Sequence, residues 1–443
     1  MKNKVSVILG IISLLVGCIC SFAQEHKSSE QKKIDQLIEK FWTLSYGEWG
    51  SVRETFRETG DLIIEPLIKM LRDKETSEWS PYRIEWHQRR IAWALGQVRT
   101  ERAIDLLIEM IQDRTLHDYG RHEAAMALKR IKPEKAVEPL IAVLNDKESN
   151  PPPRFGAAYA LGDVRSEKAV PSLIKALDEE NVQIRMGAVY GLGHIGSDEA
   201  VTGLMKALED KDGYIRRLAY PHLIRLRPEK KIEFLIMALR EDDWGAREDS
   251  VKALVEIGEP ISEHLIPLLK DDDVVVRWEV ARIFGKIELE GAVGVLIESL
   301  KDEDWMVRNE AAVALVRINS GKAIEPLIRM LDHQNFHVRN EAAWILSEMR
   351  SEKAVAPLIR ALSDPESGWL AAMALGKIQS EKAVKPLILL LKDKNLKKRR
   401  AAAWALERIP SKKAVKSLMA ALKDKDEEVR ILAALALEKL GIR

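Results

Sequence analysis

Leucines followed by another apolar residue recur along the chain about every 31 residues, each within a stretch whose apolar positions have helical spacing. A fixed period of about 20–50 residues is typical of proteins built from stacked structural repeats. The pattern therefore predicts repeated helical units in which these anchor leucines are buried at equivalent places. They are Leu37, Leu67, Leu107, Leu140, Leu173, Leu204, Leu235, Leu265, Leu296, Leu327, Leu358, Leu387 and Leu418.

Residues 302–331 show what one unit contains. In its first half, apolar residues fall three and four positions apart, as on one face of a helix. Residues 319–321 interrupt the pattern, as expected for one helix end followed by a new cap. The second half carries another apolar stripe, with Pro326 near its start, where a missing N–H costs least. Each unit is predicted to be a helical hairpin that must stack on its neighbours to bury both stripes.

Three segments resemble a known repeat: VRNEAAVAL at 307–315, VRNEAAWIL at 338–346 and SEKAVAPLI at 351–359. They are similar to HEAT repeats of the short type named after the phycobilisome lyases, which also builds deoxyhypusine hydroxylase. The resemblance covers residues 34–443. It implies an all-α fold, a right-handed α-solenoid (superhelix) of about 13 HEAT-like helical hairpins. It implies less about function, because that family includes scaffolds, lyase subunits and an iron enzyme.

Acidic residues precede arginines by six positions at several places in the array. These pairs are Asp210 and Arg216, Asp271 and Arg277, Asp302 and Arg308, Asp393 and Arg399, and Asp424 and Arg430. The spacing predicts a ladder of bidentate contacts between arginines and carboxylates along the turns between repeats. Residues 364–369 lack the Val-Arg step, so the ladder is predicted to skip one rung there.

The N-terminus has the layout of a secretory signal: two lysines, an apolar run and a small-x-small site that ends at Ala23. Residues 15–18 also resemble the bacterial lipobox, which implies lipidation of Cys18 and attachment to a membrane through the N-terminus only. Cleavage after Ala23 would instead release a free protein, and an uncleaved anchor is the third interpretation. All three interpretations place the body of the protein outside the cytoplasm.

Composition agrees with export. Cys18 and Cys20 are the two cysteines of the chain, so the rest has no thiol to oxidise outside the cytoplasm. The net charge of +1 gives no footprint for nucleic acid binding. We expect a signal peptide at residues 1–23, a mobile tether at 24–33 and a single solenoid domain at 34–443. The predicted location is extracytoplasmic: periplasmic, secreted or lipid-anchored at the cell envelope.

The longest step between anchor leucines surrounds residues 74–90, which include Trp79, Tyr82 and Trp86 among charged residues. We interpret this segment as an excursion between two helices. Aromatic side chains on such a loop suit a partner-binding hot spot. The alternative is that they fold back and cover the edge of the stack. A later insertion contains three consecutive prolines, at 151–153, which predict a stiff extended turn.

The sharpest catalytic candidate is the pair His122 and Glu123, which is similar to the His-Glu pairs that hold the di-iron centre of deoxyhypusine hydroxylase. That centre needs four such pairs, and this chain has one, since positions 309 and 340 begin Asn-Glu instead. No P-loop, nucleophile elbow or His-Glu-x-x-His motif is present. We therefore expect no catalytic residues, no metal ligands and no cofactor. A mononuclear metal site using the N-terminal histidines is the alternative.

The leading hypothesis is a non-enzymatic scaffold, expected to be a monomer, that binds a protein partner and no nucleic acid. The hypothesis places the partner in a groove lined by the second helices, whose exposed positions mix both charges. These positions are Lys69, Glu109, Lys175, Lys206, Glu298, Arg329 and Arg360. The alternative function is an enzyme or enzyme subunit that resembles deoxyhypusine hydroxylase, an oxidoreductase, or a phycobilisome bilin lyase.

Overall fold

A computed structural model describes residues 29–73 and 80–442. Within these residues every regular element is a helix and there is no β-strand, which confirms the predicted all-α fold. The chain divides into two compact units: the first ends at Lys231 and the second begins at Ile232. No helix in the described part of the chain combines the length and the apolar character needed to span a membrane.

The first unit opens with helices that precede the regular pairs. They are α1 (Ser29–Thr43), a 3₁₀ helix (Tyr46–Val52), α2 (Arg53–Thr59), a 3₁₀ helix (Gly60–Ile63) and α3 (Ile64–Leu71). Because α1 begins at Ser29, the end of the segment predicted as a mobile tether is helical instead.

Paired helices follow in the first unit, and we call the two members of each pair the first and the second helix. The first helices are α4 (Pro81–Val98), α6 (Asp118–Ile131), α8 (Pro151–Val164), α10 (Val182–Ile195) and α12 (Gly213–Leu226). The second helices are α5 (Glu101–Gln112), α7 (Val137–Asn145), α9 (Val170–Ala176) and α11 (Asp198–Ala207).

The second unit repeats the same pairing, and the boundary between the units falls at the start of α13. Its first helices are α14 (Trp244–Ile257), α16 (Val274–Lys286), α18 (Trp305–Ile318), α20 (Phe336–Glu348), α22 (Gly368–Ile378), α24 (Leu396–Arg408) and α26 (Glu427–Lys439). The second helices are α13 (Lys231–Leu239), α15 (Ser262–Leu265), α17 (Val293–Ser299), α19 (Ile324–Met330), α21 (Val355–Ala361), α23 (Val384–Leu390) and α25 (Val415–Ala421).

Polar caps fix where most first helices begin. An Asp or Asn before the helix accepts a hydrogen bond from a backbone N–H of the first turn, which satisfies one of the free donors there. These caps are Asn181, Asp212, Asp243, Asp273, Asp304, Asn335, Asn395 and Asp426. Several first helices end at a residue with positive φ, such as Arg165 at 60° and Asn319 at 48°. This left-handed residue turns the chain towards the second helix.

Within each unit the core lies between the helices of successive pairs. Every anchor leucine from Leu37 to Leu418 is buried, as predicted. Neighbouring first helices of the same unit also pack directly against one another. Small residues allow this close approach: a Cβ added at Gly162 would lie 2.6 Å from the Cα of Gly191 on the next first helix.

The predicted Arg ladder exists, but its carboxylate partners were assigned wrongly. Arg277 donates through Nη1 to the backbone carbonyl of Asp271, six residues earlier, at 2.8 Å. Its side chain pairs instead with the carboxylate of Asp302, 25 residues later. Arg185 with Asp210 and Arg399 with Asp424 repeat this pairing. Each of these carboxylates therefore pairs with an arginine of the preceding repeat, while the arginine six residues later in the chain binds the backbone of that turn, as Arg308 binds the carbonyls of Asp302 and Glu303.

The predicted skipped rung is confirmed. Position 368, which lies 25 residues before Asp393, is a glycine, and no arginine pairs with the carboxylate of Asp393 within the described residues. The turn carbonyls that an arginine would bind are satisfied by a lysine from the following first helix. Lys398 is buried and its Nζ lies 3.0 Å from the carbonyl oxygen of Leu362.

Two local predictions near the N-terminus were wrong. Tyr82 and Trp86 lie on the helix α4 and not on an excursion between helices, because Ser80 caps that helix and Pro81 occupies its first position. The prolines at 151–153 begin α8 and do not form an extended turn. Proline is compatible with the first turn of a helix, where no N–H partner is required.

Candidate functional site

The predicted aromatic patch lies on the first unit, where the structure describes two of its three residues. Tyr82 is 68% exposed, and Trp86 is half-buried one helical turn further along α4. Trp79 lies outside the described residues. The Trp86 ring meets three other rings edge-on, with centroid distances of 6.0 Å to Tyr46, 6.1 Å to Trp49 and 6.0 Å to Tyr82. Trp86 thus joins the exposed patch to the buried aromatic core.

Arg89 lies at the centre of this patch. Its guanidinium carbon is 5.3 Å from the ring centroid of Tyr46, 5.0 Å from that of Trp86 and 6.0 Å from that of Tyr119. These distances allow cation–π attraction to each ring. We call Tyr46, Trp49, Tyr82, Trp86, Arg89 and Tyr119 the N-terminal aromatic cluster.

Buried contacts fix the N-terminal aromatic cluster in place. The Phe41 ring stacks on Trp93 of α4 at 5.5 Å and contacts the Trp49 ring at 5.6 Å. Arg90 donates to backbone carbonyls at the end of α1, those of Trp42 and Leu44. The last carbonyls of α1 therefore have a donor, and α1 is held against α4. This supports the alternative interpretation, that these aromatic residues cover the edge of the stack, for the inner members of the cluster.

A second set of rings runs across the neighbouring first helices of the same unit. We call it the ring strip, and it consists of His122, Phe155, Tyr159, Tyr190, His194 and His222. Each of these residues is half-buried. The strip begins beside Arg89, whose charge contributes to lowering the pKa of His122, after burial as the larger cause.

Ring contacts link the strip from helix to helix. His122 of α6 stacks on Phe155 of α8 at 5.8 Å, and Phe155 stacks on Tyr159 at 5.9 Å. Tyr159 meets Tyr190 of α10 edge-on at 5.1 Å, and Tyr190 meets His222 of α12 at 5.8 Å. Rings from four first helices thus form one continuous row.

Charged groups lie along the strip in small numbers and with both signs. Lys129 places its Nζ 3.7 Å from the Tyr159 ring centroid and 3.6 Å from a carboxylate oxygen of Asp163. Asp163 also lies 2.9 Å from Nδ1 of His194. The strip therefore combines aromatic contact area with one carboxylate and one ammonium group that are already paired.

His222 ends the strip and is held as a neutral imidazole at neutral pH. Burial lowers its pKa to about 4, with smaller effects from His194 and Arg225. A close backbone approach sets its position: a Cβ added at Gly193 would lie 2.3 Å from Nδ1 of His222. Burial also raises the pKa of Tyr190, so its phenol is neutral too.

The catalytic candidates His122 and Glu123 have structural partners. Nδ1 of His122 lies 2.9 Å from the carbonyl oxygen of Pro152, so it donates to that oxygen. Glu123 is buried and accepts from Arg130 at 3.1 Å. Across residues 29–73 and 80–442, no group of three or more His, Cys, Asp or Glu side chains could hold a metal ion.

The ring strip was not predicted, although the chain carries a signal for it. In the first helices from α6 to α26, one equivalent position near the middle of the helix is at least partly exposed, and its residue type differs between repeats. It is Met126, Tyr159, Tyr190, Pro221, Lys252, Arg282, Val313, Trp344, Met373, Trp404 and Leu435. The positions predicted to line a groove of the second helices, Lys69 to Arg360, are exposed as expected. The rings, however, lie on the first helices.

Comparisons with solved structures find similar repeated helices. An engineered protein is 22% identical over 85% of this chain and 98% of its own, with a TM-score of 0.26. Human deoxyhypusine hydroxylase is 22% identical over 58% of this chain and 98% of its own, with a TM-score of 0.28. Kap121p is 14% identical over 93% of this chain and 53% of its own, with a TM-score of 0.47. At such low identities and TM-scores, none of these similarities bears on function.

Among curated proteins, no sequence matches the chain. Family models do match it. The model of HEAT repeats matches residues 114–188, 170–255, 262–337, 317–370 and 384–441, and the model of the PBS lyase HEAT-like repeat matches residues 88–113 and 369–393. These matches cover most of the chain and agree with its helical pairs, so the protein belongs to the HEAT-repeat family, as its sequence motifs predict.

Proposed function

We propose that this protein is an exported, non-enzymatic scaffold that binds a polypeptide partner through the ring strip and the N-terminal aromatic cluster. The row of half-buried rings across α6, α8, α10 and α12 carries the proposal. Aromatic side chains give a large contact area, and they dominate the binding energy of protein interfaces.

The charges along the surface favour a polypeptide over other polymers. Arg89, Lys129 and Asp163 mix both signs within one row, and the net charge of the whole chain is +1. A nucleic acid site would need a continuous basic face to follow the phosphates. A polypeptide, in contrast, offers apolar side chains, charges and backbone groups in alternation, which such a mosaic can match.

Crosslinking from beside the strip tests this proposal. A photoreactive amino acid introduced at Tyr214, which is exposed and contributes to the raised pKa of Tyr190, should crosslink one discrete protein in the native cells. The double variant Tyr159→Ala, Tyr190→Ala should lose that adduct while retaining its helicity. The variant Trp305→Ala removes an aromatic residue that is 64% exposed on the second unit and serves as the matched control. An adduct that survives the double variant would contradict the proposal.

Export and the monomeric state belong to the same proposal. Export is supported by the signal-like N-terminus and by the position of both cysteines, Cys18 and Cys20, within it. Cys18 and Ala23 lie outside the described residues. Intact-mass spectrometry of the natively expressed protein should find a chain that begins at Gln24, for a free protein, or at lipid-modified Cys18. A full-length chain in the cytosol would contradict export.

Metal analysis separates the scaffold from the alternative, an enzyme or enzyme subunit. We expect the purified native protein to hold no stoichiometric iron, because His122 and Glu123 bind Pro152 and Arg130. Iron at one or two atoms per chain would overturn the non-enzymatic assignment.

A further inference from the structure

A small cavity opens on the second unit between three successive first helices. Its volume is about 290 Å³, and it is formed by α20, α22 and α24. The side walls are the half-buried indoles of Trp344 and Trp404, and the apolar base includes Leu370 and Met373. Its other lining residues are Ser347, Ala374, Lys377 and Arg408.

The repeat register explains why the cavity exists. Trp344, Met373 and Trp404 occupy the same position in α20, α22 and α24, directly after a pair of alanines. A slender methionine between two tryptophans leaves a gap between the indole rings. Gly376 brings α24 close to α22, since a Cβ added there would lie 2.7 Å from the Cα of Ala405 and 2.9 Å from Cζ3 of Trp404. The Trp404 wall is thus held by close packing of α22 and α24, and all the residues that line the cavity lie on helices.

The rim of the cavity carries an uncompensated positive charge. Lys377 is paired with Glu348. The guanidinium carbon of Arg408 lies 4.3 Å above the Trp404 ring centroid. The neighbouring acid Glu407 is paired with Lys439. Arg408 is exposed and, within the part of the chain that the structure describes, pairs with no carboxylate.

We infer that this cavity binds a large apolar side chain, aromatic or leucine-like, from a polypeptide segment in which an acidic residue adjoins that side chain. The apolar side chain lies between Trp344 and Trp404, and the adjoining carboxylate pairs with Arg408. The cavity is at the lower limit of small-molecule pockets, about 300–1,000 Å³, and its volume suits one side chain. Buried aromatic anchors and arginine are the residue types that dominate such contacts.

The inference rests on the proposed role in binding polypeptides, but it concerns a separate surface on the second unit. A base of nucleic acid could also stack on an indole. Glu348, the acidic residue that pairs with Lys377 at the rim, argues against a path for phosphates here.

Fluorescence anisotropy of the full chain with a labelled peptide tests the inference. The probe is a nonapeptide with a central Phe flanked by two Glu on each side. We expect saturable binding that falls about tenfold or more for Trp404→Ala and for Arg408→Glu, as for hot-spot residues. A peptide with Ala in place of Phe should bind no better than these variants. A peptide with Lys in place of Glu should bind Arg408→Glu better than it binds the wild type.

Two matched variants control for general effects. Arg317→Glu reverses an exposed charge at the same register on α18, and Trp305→Ala removes an exposed indole. Both should bind the probe like the wild type. Trp404→Leu keeps an apolar residue in case Trp404→Ala does not fold, and it should lose affinity with unchanged helicity.

Three outcomes would overturn the inference: no wild-type binding at millimolar peptide, equal binding by Arg408→Glu, or tighter binding of single-stranded DNA than of the peptide. The crosslinking test on the first unit is independent of these measurements. If the peptide does not bind but the crosslinks form as expected, only the cavity is rejected as a binding site. If the peptide binds but the crosslinks do not form as expected, only the ring strip is rejected.

Discussion

Arg277 and Asp302 form a two-point ion pair that ties one repeat to the next. Nε of Arg277 lies 2.8 Å from Oδ2 of Asp302, and Nη2 lies 3.0 Å from Oδ1. The remaining nitrogen, Nη1, donates to the carbonyls of Asp271 at 2.8 Å and Asp272 at 3.2 Å. One guanidinium group thus binds the backbone of the turn before its own helix and the carboxylate of the corresponding turn in the next repeat. The contact with Asp302 raises the pKa of Arg277, so the charge is retained at any accessible pH.

Removing this guanidinium should destabilise the second unit locally. Arg277→Ala leaves the Asp302 carboxylate unpaired and two carbonyls without a donor, and breaking such a pair typically costs about 3–5 kcal/mol. Arg277→Lys should destabilise the protein less than Arg277→Ala does but still measurably, because an ammonium group keeps the charge and cannot form the two-point contact. Hydrogen exchange should rise first in α16 and around Asp302, since each repeat touches only its neighbours.

The control is Arg329→Ala, at an exposed position, which should change stability by less than about 0.5 kcal/mol. Equal exchange in both variants would contradict the role of the pair.

Adding a methyl group at Gly162 should be destabilising, although alanine is the better helix former. The new Cβ would lie 2.6 Å from the Cα of Gly191, and backbone atoms cannot move aside as a flexible side chain can. We expect Gly162→Ala to cost about 1–3 kcal/mol by urea denaturation, as for overpacked cores. Gly294→Ala is the control, because nothing lies within 4 Å of its added Cβ. That variant should be neutral or stabilising by up to about 1 kcal/mol. If both variants instead increased the free energy of unfolding, helix propensity would outweigh packing at Gly162.

Mild acid should destabilise the first unit through His222. The unfolded chain takes up a proton at this residue near its ordinary pKa of 6.5, whereas the folded protein does so only at a pKa of about 4. Stability is therefore complete above about pH 6.5 and decreases as the pH falls towards 4. The melting temperature should drop less between pH 7.5 and pH 5 in His222→Asn than in the wild type. NMR titration of the imidazole should give the lowered pKa directly, and an ordinary value would contradict the burial of this ring.

Tyr82 and Trp86 should respond differently to the same substitution. Tyr82→Ser removes a ring that is 68% exposed and should change stability by less than about 0.5 kcal/mol. Trp86→Ser removes edge contacts with Tyr46 and Trp49 and should cost about 2 kcal/mol. Thermal melting and hydrogen exchange across α4 measure the difference. If Tyr82→Ser also abolishes partner capture, Tyr82 belongs to the binding surface. An equal loss of stability in both variants would show that the whole patch covers the stack.

The sequence by itself determined the repeat, its helices and its core. The period of the anchor leucines predicts their burial because each helix must hide its apolar stripe against a neighbour, wherever that neighbour lies. Residues 364–369 lack the Val-Arg step, and this local change in the sequence was enough to predict the missing rung of the ladder. The prolines at 151–153 misled the prediction, since a run of prolines suits both an extended turn and a first helical turn.

Only the tertiary structure decided which side chains meet across repeats. The sequence spacing suggests Asp271 as the partner of Arg277, whereas the stacking of the turns selects the carboxylate of Asp302. Tyr159 and Tyr190 are 31 residues apart, and their rings meet because Gly162 and Gly191 let α8 and α10 approach closely. Contacts of this kind depend on the distance and rotation between stacked helices. Those quantities arise from packing along the whole interface, so no single repeat specifies them.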